Sequence, residues 1–202
     1  MLERFRARWA RIMTPVADFL LRLGISPDAV TFVGTLGVSF GALWFFPRGQ
    51  FFVGVMVVTL FVFSDIVDGL MARRSGRSSA WGAFLDSTLD RVGDAAVFGG
   101  LVLWYAGDGD DLLLMGVALW CLVGGQLTSY VRARAEALGM EAKGGIAERS
   151  DRLVAVLVMT GLSGLFDLPV LRTIVLWALA VASTITVIQR IVMVRRQALA
   201  DA

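Results

Sequence analysis

The chain has 202 residues, of which 57% are hydrophobic and 18% charged, and its mean hydropathy is +0.73. A soluble domain is usually about half apolar and about a quarter charged, so this composition excludes a disordered chain and a typical soluble enzyme and favours transmembrane helices. The absence of histidine and the single cysteine, Cys121, exclude imidazole chemistry, an internal disulfide and a thiolate metal site.

The first 24 residues predict an amphipathic helix that lies on the membrane surface. Apolar side chains recur there at helical spacing, opposite a basic face. The apolar positions are Leu2, Phe5, Trp9, Ile12 and Met13, and the basic ones are Arg4, Arg8 and Arg11. Gly24 ends this helix, and the next one is expected to begin with Ser26 as N-cap and Pro27 at its first position.

Six apolar segments then follow, and we expect each of them to cross the membrane. They are Ala29–Pro47, Gln50–Arg73, Gly82–Ala106, Leu112–Arg132, Asp151–Phe166 and Val170–Arg196. No internal repeat is visible. The expected fold is therefore an all-α integral membrane protein, a single domain over residues 1–202 with an interfacial helix (1–24) and a bundle of six transmembrane helices (29–196).

The basic residues indicate the orientation of these segments. Sixteen of the 19 lie in the N-terminal region, in the loops after the second and fourth segments, and at the C-terminus. The positive-inside rule then predicts cytoplasmic N- and C-termini in a bacterial cell membrane. A nucleic-acid-binding module would instead carry its basic residues on one face of a soluble domain, so no nucleic-acid partner is expected.

Aspartates lie where the second and third segments approach each other. Asp65 and Asp68 are three residues apart and Asp86 and Asp90 four apart, so each pair shares a helix face. The short linker makes the two segments an antiparallel hairpin, which should bring four carboxylates together near the cytoplasmic leaflet. Hard oxygen ligands without histidine or cysteine favour Mg²⁺, Mn²⁺ or Ca²⁺. The alternative is a network of salt bridges with Arg73, Arg74, Arg77 and Arg91.

Residues 65–90 resemble the signature of the CDP-alcohol phosphotransferase family, DxxDGxxAR followed by GxxxDxxxD. Every fixed position is present, with eight residues between the halves: Asp65, Asp68, Gly69, Ala72, Arg73, Gly82, Asp86 and Asp90. The six-helix topology with an N-terminal interfacial helix also agrees with this family. The resemblance further implies a homodimer, for which Gly34, Gly37 and Gly41 could provide helix packing, within one protomer or between two.

The resemblance implies phosphoryl transfer from a CDP-linked lipid, commonly CDP-diacylglycerol, to an alcohol, with CMP as leaving group. One or two Mg²⁺ or Mn²⁺ ions would hold the pyrophosphate. Their implied ligands are Asp65, Asp68, Asp86 and Asp90. Asp90 is also implied as the base that deprotonates the alcohol. Asp94 lies outside the signature, and we expect it to pair with an arginine.

The resemblance also implies contacts to the CDP-lipid. These residues are Asp28, Ala29, Val30, Thr31, Gly69, Arg73 and Ser79. Two alternatives remain open at this point. Asp28 and Thr31 could serve as helix caps instead. Gly69 and Gly82 could admit a ligand or a neighbouring helix, since either can approach a glycine closely.

The acceptor is indicated by basic residues after the fourth segment. The stretches 129–136 and 144–153 resemble those of the actinobacterial phosphatidylinositol-phosphate synthases, a subfamily that uses inositol 1-phosphate. The implied contacts to the acceptor phosphate are Ser129, Arg132, Arg134, Arg152 and Arg190. These arginines could instead be topology signals or contacts to lipid head groups.

Two other functions also fit parts of this pattern. Glycerol 3-phosphate is the competing acceptor, because it also carries a phosphate. A transporter of divalent metals or protons is the remote alternative, because it too would use acids within the membrane. The later segments show no Asp or Glu before their cytoplasmic ends that could continue such a path across the bilayer.

Overall fold

A computed structural model of the chain describes residues 13–76 and 79–200, and all regular structure in these ranges is helical. The helices are α1 (13–22), α2 (Pro27–Phe45), α3 (Phe51–Val62), α4 (Ser64–Arg74), α5 (Ala80–Ala106), α6 (Leu112–Ala137), α7 (Arg149–Phe166) and α8 (Val170–Ala200). A short 3₁₀ turn, Phe46–Arg48, follows α2. Most of the predicted amphipathic pattern, residues 1–12, lies outside the described residues.

Four stretches of the described chain are long and apolar enough to cross a membrane. They are Pro27–Arg48, Phe51–Arg74, Leu112–Ala137 and Val170–Ala200. The expected all-helical membrane fold is thus confirmed, although fewer spans than the predicted six meet this criterion. The two remaining helices contain more charged residues, which lowers their hydropathy: α5 carries Asp86, Asp90, Arg91 and Asp94 in its first half, and α7 carries Arg149, Asp151 and Arg152 in its first turn.

Six helices form a ring around one apolar core. Neighbours pack in the order α2, α5, α6, α8, α7 and α3, and α3 packs against α2 to close the ring. The centre is filled by side chains that are almost fully buried: Phe46, Val58, Val97, Leu101, Val156 and Leu176. Burial of such side chains stabilises the bundle. The aspartate-bearing helix α4 extends from one end of this ring.

The predicted second segment is interrupted at Phe63, between α3 and α4, although the backbone at Phe63 stays in the right-handed helical region. The Ser64 hydroxyl donates to the Phe61 carbonyl at 2.6 Å. Gly34 of α2 faces this turn, and a Cβ atom at position 34 would overlap the Ser64 hydroxyl. The close approach of α2 to the first residue of α4 therefore requires glycine at position 34.

The glycines considered for helix packing act within the protomer. A Cβ atom at Gly37 would overlap the Phe61 ring, and one at Gly41 would lie 3.0 Å from Val57. Both contacts are with α3, as expected for small residues that let two helices approach closely. Of the two possibilities left open by the sequence, the structure favours packing inside one chain.

Helix α1 packs against the outer face of α4. Ala17 is fully buried in a small apolar cluster with Val67 and Met71. An ion pair reinforces this contact, since Arg74 donates to both carboxylate oxygens of Asp18, at 2.6 and 2.9 Å. Helix α4 is therefore held between α1 and α2, with its remaining face directed toward the start of α5.

Candidate active site

Three of the four predicted carboxylates come together. Asp65 and Asp68 of α4 and Asp86 of α5 place carboxylate oxygens within 4.8 Å of one another. Among the described residues none of the three forms an ion pair, so the salt-bridge interpretation does not account for them. Three carboxylates that converge without an ion pair in the described chain form an oxygen donor set that fits Mg²⁺ or Mn²⁺.

The carboxylate of Asp68 is held by helix α2. The Thr31 hydroxyl donates to Asp68 Oδ2 at 2.6 Å, and both residues are buried. This bond orients one oxygen and leaves the other available to a cation. Thr31 therefore binds a side chain of α4 and does not cap α2. The N-cap of α2 is Ser26, as predicted.

Asp28 joins α2 to the start of α5. Its Oδ2 atom accepts a hydrogen bond from Trp81 Nε1 at 3.1 Å. Since Ser26 caps α2 and Asp28 and Thr31 both bind side chains of other helices, the helix-capping alternative for these two residues does not hold. The contact between Trp81 and Asp28 could not be predicted, because nothing in the local sequence of Trp81 indicates it.

A cleft of about 810 Å³ opens beside the three carboxylates. Five of the predicted CDP-lipid contacts line it: Asp28, Thr31, Gly69, Arg73 and Ser79. The other two, Ala29 and Val30, are not among its lining residues in the described chain; Ala29 is exposed and Val30 packs beside the α1–α4 cluster. The helical repeat explains the difference, because positions 28 and 31 share a face that 29 and 30 do not.

Ser79 and Gly69 border the cleft in different ways. The Ser79 hydroxyl caps α5 by accepting from the Gly82 amide at 3.0 Å. A Cβ atom at Gly69 would meet only the Arg73 guanidinium, at 3.8 Å, and one at Gly82 only the Ser79 hydroxyl, at 3.5 Å. No neighbouring helix of the described chain packs on either glycine, so the open space favours approach by a ligand.

Replacing Gly69 with alanine is expected to impair the donor site without destabilising the fold. Alanine in a helix interior is favoured over glycine by roughly 0.5–1 kcal/mol, so the melting temperature should not fall. A methyl group in the cleft should raise the KM for the CDP-lipid about tenfold, equivalent to about 1.4 kcal/mol. Steady-state kinetics and a thermal melt measure the two effects.

The matched control is Gly116→Ala. Gly116 is also a helical glycine with no atom near its Cβ position, but it lies on α6 away from the cleft. It should gain similar stability with unchanged kinetics. An unchanged donor KM for Gly69→Ala would contradict the assignment of this face to the donor.

The fourth signature aspartate, Asp90, lies outside the group of three. Its Oδ1 atom pairs with Arg149 Nη2 of α7 at 2.9 Å, and its Oδ2 atom lies 3.5 Å from Arg91 Nη1. Asp65, Asp90 and Arg149 line one narrow cavity, so Asp90 borders the group without joining it. Asp94 pairs with Arg149 Nε at 3.2 Å, which confirms its expected pairing with an arginine.

Helix α7 begins where it can present arginines to this region. Glu148 and Asp151 form a reciprocal capping box at its N-terminus. Arg149 and Arg152 then occupy the first turn, three residues apart. The spacing suggests a shared face, but the two side chains have different partners, since Arg149 reaches α5 and Arg152 reaches α6. From its spacing Arg149 could have joined Arg152 in an anion pocket, and its contact with Asp90 and Asp94 could not be predicted from the sequence.

Two buried arginines converge on Thr128 of α6. Arg152, 2% exposed, donates to the Thr128 hydroxyl at 3.1 Å and to the Ala147 carbonyl at 3.1 Å. Arg190, 6% exposed, donates to the Thr128 carbonyl and to the Gly144 carbonyl, the latter at 2.9 Å. Neither arginine pairs with a carboxylate of the described chain. Two buried positive charges with neutral partners favour a bound anion.

The other three predicted acceptor contacts have different bonding partners or none among the hydrogen bonds of the described chain. The Ser129 hydroxyl donates to the Gly125 carbonyl of its own helix at 3.3 Å. Arg132 pairs with Glu136 at 2.9 Å on the exposed side of α6, and Arg134 is also exposed. The structure therefore brings together Arg152 and Arg190 through Thr128, a residue that the sequence did not single out.

Comparison with known proteins assigns the family. Residues 24–185 match the model of the CDP-alcohol phosphatidyltransferases. The chain is 56% identical to a phosphatidylinositol phosphate synthase of Streptomyces avermitilis, over 98% of this chain and 84% of the relative. These matches favour a transferase over the transporter interpretation.

Two crystal structures of the phosphatidylinositol phosphate synthase of Mycobacterium tuberculosis resemble the fold. One has CDP-DAG bound, with a TM-score of 0.87 and 46% identity over 91% of this chain and 94% of the other. The second is a complex with manganese and citrate, with a TM-score of 0.86 and 46% identity over 90% and 88%. From its signature, its three converging carboxylates and these similarities, the chain belongs to the CDP-alcohol phosphatidyltransferase family, and it is a membrane transferase.

Proposed function

We propose that the chain transfers the phosphatidyl group of CDP-diacylglycerol to inositol 1-phosphate, giving phosphatidylinositol phosphate and CMP. Relatives at about half identity bear the name phosphatidylinositol phosphate synthase, which supports this acceptor over glycerol 3-phosphate. The observation that carries the proposal is the arrangement of two features. A cleft with three converging carboxylates lies beside Asp90, and helix α7 connects Asp90 to two buried arginines with neutral partners.

The donor would bind in the 810 Å³ cleft. Asp65, Asp68 and Asp86 would hold one or two Mg²⁺ or Mn²⁺ ions, with Asp90 as a further ligand. When bound, these ions neutralise the charge of the pyrophosphate and of the departing CMP. Manganese in the related crystal structure supports the choice of metal. The Arg73 guanidinium, which is exposed at the cleft and forms no ion pair within the described chain, would contact a phosphate.

The remaining donor contacts would orient the nucleotide. Asp28, held by Trp81, and Ser79 line the same cleft as Gly69, whose bare backbone allows a phosphate or sugar to approach closely. Ala29 and Val30 would act by shaping the turn that carries Asp28 and Thr31. The lipid tails would leave the cleft toward the bilayer.

Asp90 would take the proton from the acceptor hydroxyl. The hydroxyl oxygen then forms a bond to the lipid-side phosphorus, the bond from that phosphorus to the bridging oxygen breaks, and its electrons leave with CMP. The chain has no histidine, so a carboxylate is the suitable base. Positioning and charge neutralisation account for most of the catalysis of such transfers.

Arg152 and Arg190 would bind the phosphate of the acceptor. Guanidinium groups can bind two phosphate oxygens at once, and burial strengthens the interaction because water is excluded. Ser129, Arg132 and Arg134 would complete the pocket from the end of α6, and Arg132 would exchange its bond to Glu136 for one to the acceptor. A neutral alcohol such as inositol would leave the two buried charges without a partner.

The proposed topology has six spans within one domain. Helix α5, with 27 residues, is about 40 Å long at about 1.5 Å per residue, enough to cross a bilayer. Helix α7 is shorter but occupies a place in the ring between α3 and α8. The basic clusters support cytoplasmic termini and an active site that faces the cytoplasmic leaflet of the bacterial cell membrane, with the N-terminal helix at the interface. The proposal that the protein forms a homodimer rests on the family resemblance.

The experiment that tests this function is CMP release by purified protein with CDP-diacylglycerol and Mg²⁺. Inositol 1-phosphate, inositol and glycerol 3-phosphate are offered separately. We expect release with inositol 1-phosphate and little with the other two. Release with glycerol 3-phosphate alone would overturn the acceptor, and release with inositol at an equal rate would overturn the role of the arginine pair.

A further inference from the structure

We propose that Gln197 is a positioning residue that fastens the loop between α6 and α7 (residues 138–148), whose carbonyls hold the two buried arginines. The inference rests on the proposed function for the role of those arginines. Gln197 lies near the C-terminal end of α8, outside the family signature, and is partly buried. Its side-chain amide is one of three side-chain contacts by which α8 holds this loop.

The amide of Gln197 pairs with one residue of the loop through both of its polar atoms. Oε1 accepts a hydrogen bond from the Glu141 amide nitrogen at 2.9 Å, and Nε2 donates to the Glu141 carbonyl at 2.6 Å. Nε2 also donates to the Met193 carbonyl of its own helix at 3.3 Å. Two opposed bonds to one residue fix its backbone, as they do between antiparallel strands. Ala142, the next residue, is fully buried, so the loop is packed against the protein at this point.

Two further side chains of α8 hold the later part of the loop. Arg190 Nε donates to the Gly144 carbonyl at 2.9 Å, and the Thr186 hydroxyl accepts from the Ala147 amide at 3.3 Å. Gly145 lies between these contacts with a φ of +131°, and a Cβ atom there would overlap the Thr186 side chain. The loop therefore follows α8 closely from residue 141 to residue 147.

The loop in turn supplies neutral partners to the arginine pair. The Gly144 carbonyl accepts from Arg190, and the Ala147 carbonyl accepts from Arg152 at 3.1 Å. A guanidinium whose partners are fixed has a defined orientation, which a phosphate can meet without reordering the side chain. If the loop came loose, binding of an anion would have to order both side chains again, and the affinity of the pocket would fall.

The first half of the loop depends on Gln197. Among the hydrogen bonds of the described residues, only those of Gln197 join positions 138–143 to a helix other than α6. The nearest ion pair, between Lys143 and Glu141 at 3.8 Å, lies within the loop itself and does not fasten it to a helix. Loss of the Gln197 amide should therefore release the segment that leads into Gly144.

The first test measures how often the loop opens, by cleavage with endoproteinase Lys-C. Lys143 is the only lysine of the chain and is exposed in the loop, so a single cut gives the fragments 1–143 and 144–202. A protease requires a locally opened segment, so the cleavage rate follows the population of the open loop. Gln197→Met keeps the side-chain length and the helix propensity but removes both bonds, and it should be cut about tenfold faster than wild type. A rate equal to that of wild type would overturn the proposal.

The matched control is Gln189→Met. Gln189 is the same residue type on the same helix, is exposed, and makes no side-chain hydrogen bond among those of the described chain. Its cleavage rate and its kinetics should remain those of wild type, and thermal melts show whether both variants are folded to the same degree. Equally fast cleavage of Gln189→Met and Gln197→Met would overturn the specific role of Gln197.

The second test determines whether the loop sets the affinity for the acceptor. Gln197→Met should raise the KM for inositol 1-phosphate about tenfold while the KM for CDP-diacylglycerol stays the same, because only the arginine pair loses its order. Gly145→Ala should reproduce this effect from the side of the loop, since the added methyl group displaces the loop from Thr186. Faster cleavage with an unchanged acceptor KM in either variant, or an equal rise of both KM values, would overturn the proposal.

The cleavage test also separates the inference from the proposed function. Cleavage at Lys143 needs neither the donor nor the acceptor. Absence of CMP release by wild-type protein with every acceptor would count against the proposed function, and the cleavage rates of Gln197→Met and Gln189→Met would still decide whether Gln197 holds the loop.

Discussion

The Asp90→Asn variant is expected to lose turnover almost completely while it still binds the CDP-lipid. Asparagine preserves the shape of the side chain but cannot accept the proton of the acceptor hydroxyl. General-base catalysis typically contributes about 10²–10⁴-fold, so kcat should fall about a thousandfold. Donor affinity should change little, because Asp65, Asp68 and Asp86 remain in place. Single-turnover CMP release and equilibrium binding of CDP-diacylglycerol, both with Mg²⁺, measure the two quantities.

An aspartate-to-asparagine change at the other end of the bundle is the control. Asp111 caps α6 by accepting from the Leu114 amide at 2.9 Å, and asparagine caps helices equally well. Asp111→Asn should therefore keep wild-type turnover. Turnover by Asp90→Asn within about tenfold of wild type would be below the range of general-base effects and would remove Asp90 as the base.

The Arg152→Lys variant is expected to lose affinity for the acceptor and to keep affinity for the donor. Arg152 binds Thr128 and Ala147 through a single guanidinium, and lysine cannot reproduce these bonds while also holding a phosphate. Hydrogen bonds to charged groups contribute about 1.5–3 kcal/mol. The acceptor KM should therefore rise about 10- to 100-fold at unchanged donor KM. Separate titrations of inositol 1-phosphate and CDP-diacylglycerol measure this difference.

Replacing a buried arginine also lowers the stability of the fold. A second buried arginine, Arg172, therefore serves as the control for Arg152. Arg172 is 7% exposed and stacks over the Phe51 ring, with its Cζ atom 3.9 Å from the ring centroid. It lies at the opposite end of the bundle. Arg172→Lys should lower the melting temperature without raising the acceptor KM. An equal rise of both KM values in Arg152→Lys would argue for a general structural role of that residue.

The residues of the three-carboxylate group could be predicted because their relation is local. Asp65 and Asp68 share a helix face by spacing alone, and the short linker before α5 limits where Asp86 can lie. Helix ends were also predictable. Ser26 caps α2 as its residue type and the following proline indicate.

The turn at Phe63 could not be predicted because its cause is tertiary. Residues 51–74 form one continuous apolar segment up to Asp65, with no proline to mark a break. The turn accompanies the close contact of Gly34 with Ser64, two residues that are far apart in sequence.

The partners of Arg149 and Arg152 could not be predicted from the sequence either. Spacing places Arg149 and Arg152 on one face of α7, but that face meets both α5 and α6. Which arginine reaches Asp90 and which reaches Thr128 follows from the order of helices around the ring. Periodicity describes the face of a helix but not its neighbours.

Helix α4 is held from three sides: by α3 through the chain itself, by α1 through a small apolar cluster, and by α2 through the Thr31–Asp68 bond. Helices tilt to match the thickness of the hydrocarbon layer, and such tilts vary with lipid composition. A change in the tilt of α3 alone would move Asp65 and Asp68 relative to Asp86, and the contacts of α4 with α1 and α2 resist such a movement. The geometry of the carboxylates therefore depends on how these helices pack together in the bilayer and not on α3 alone.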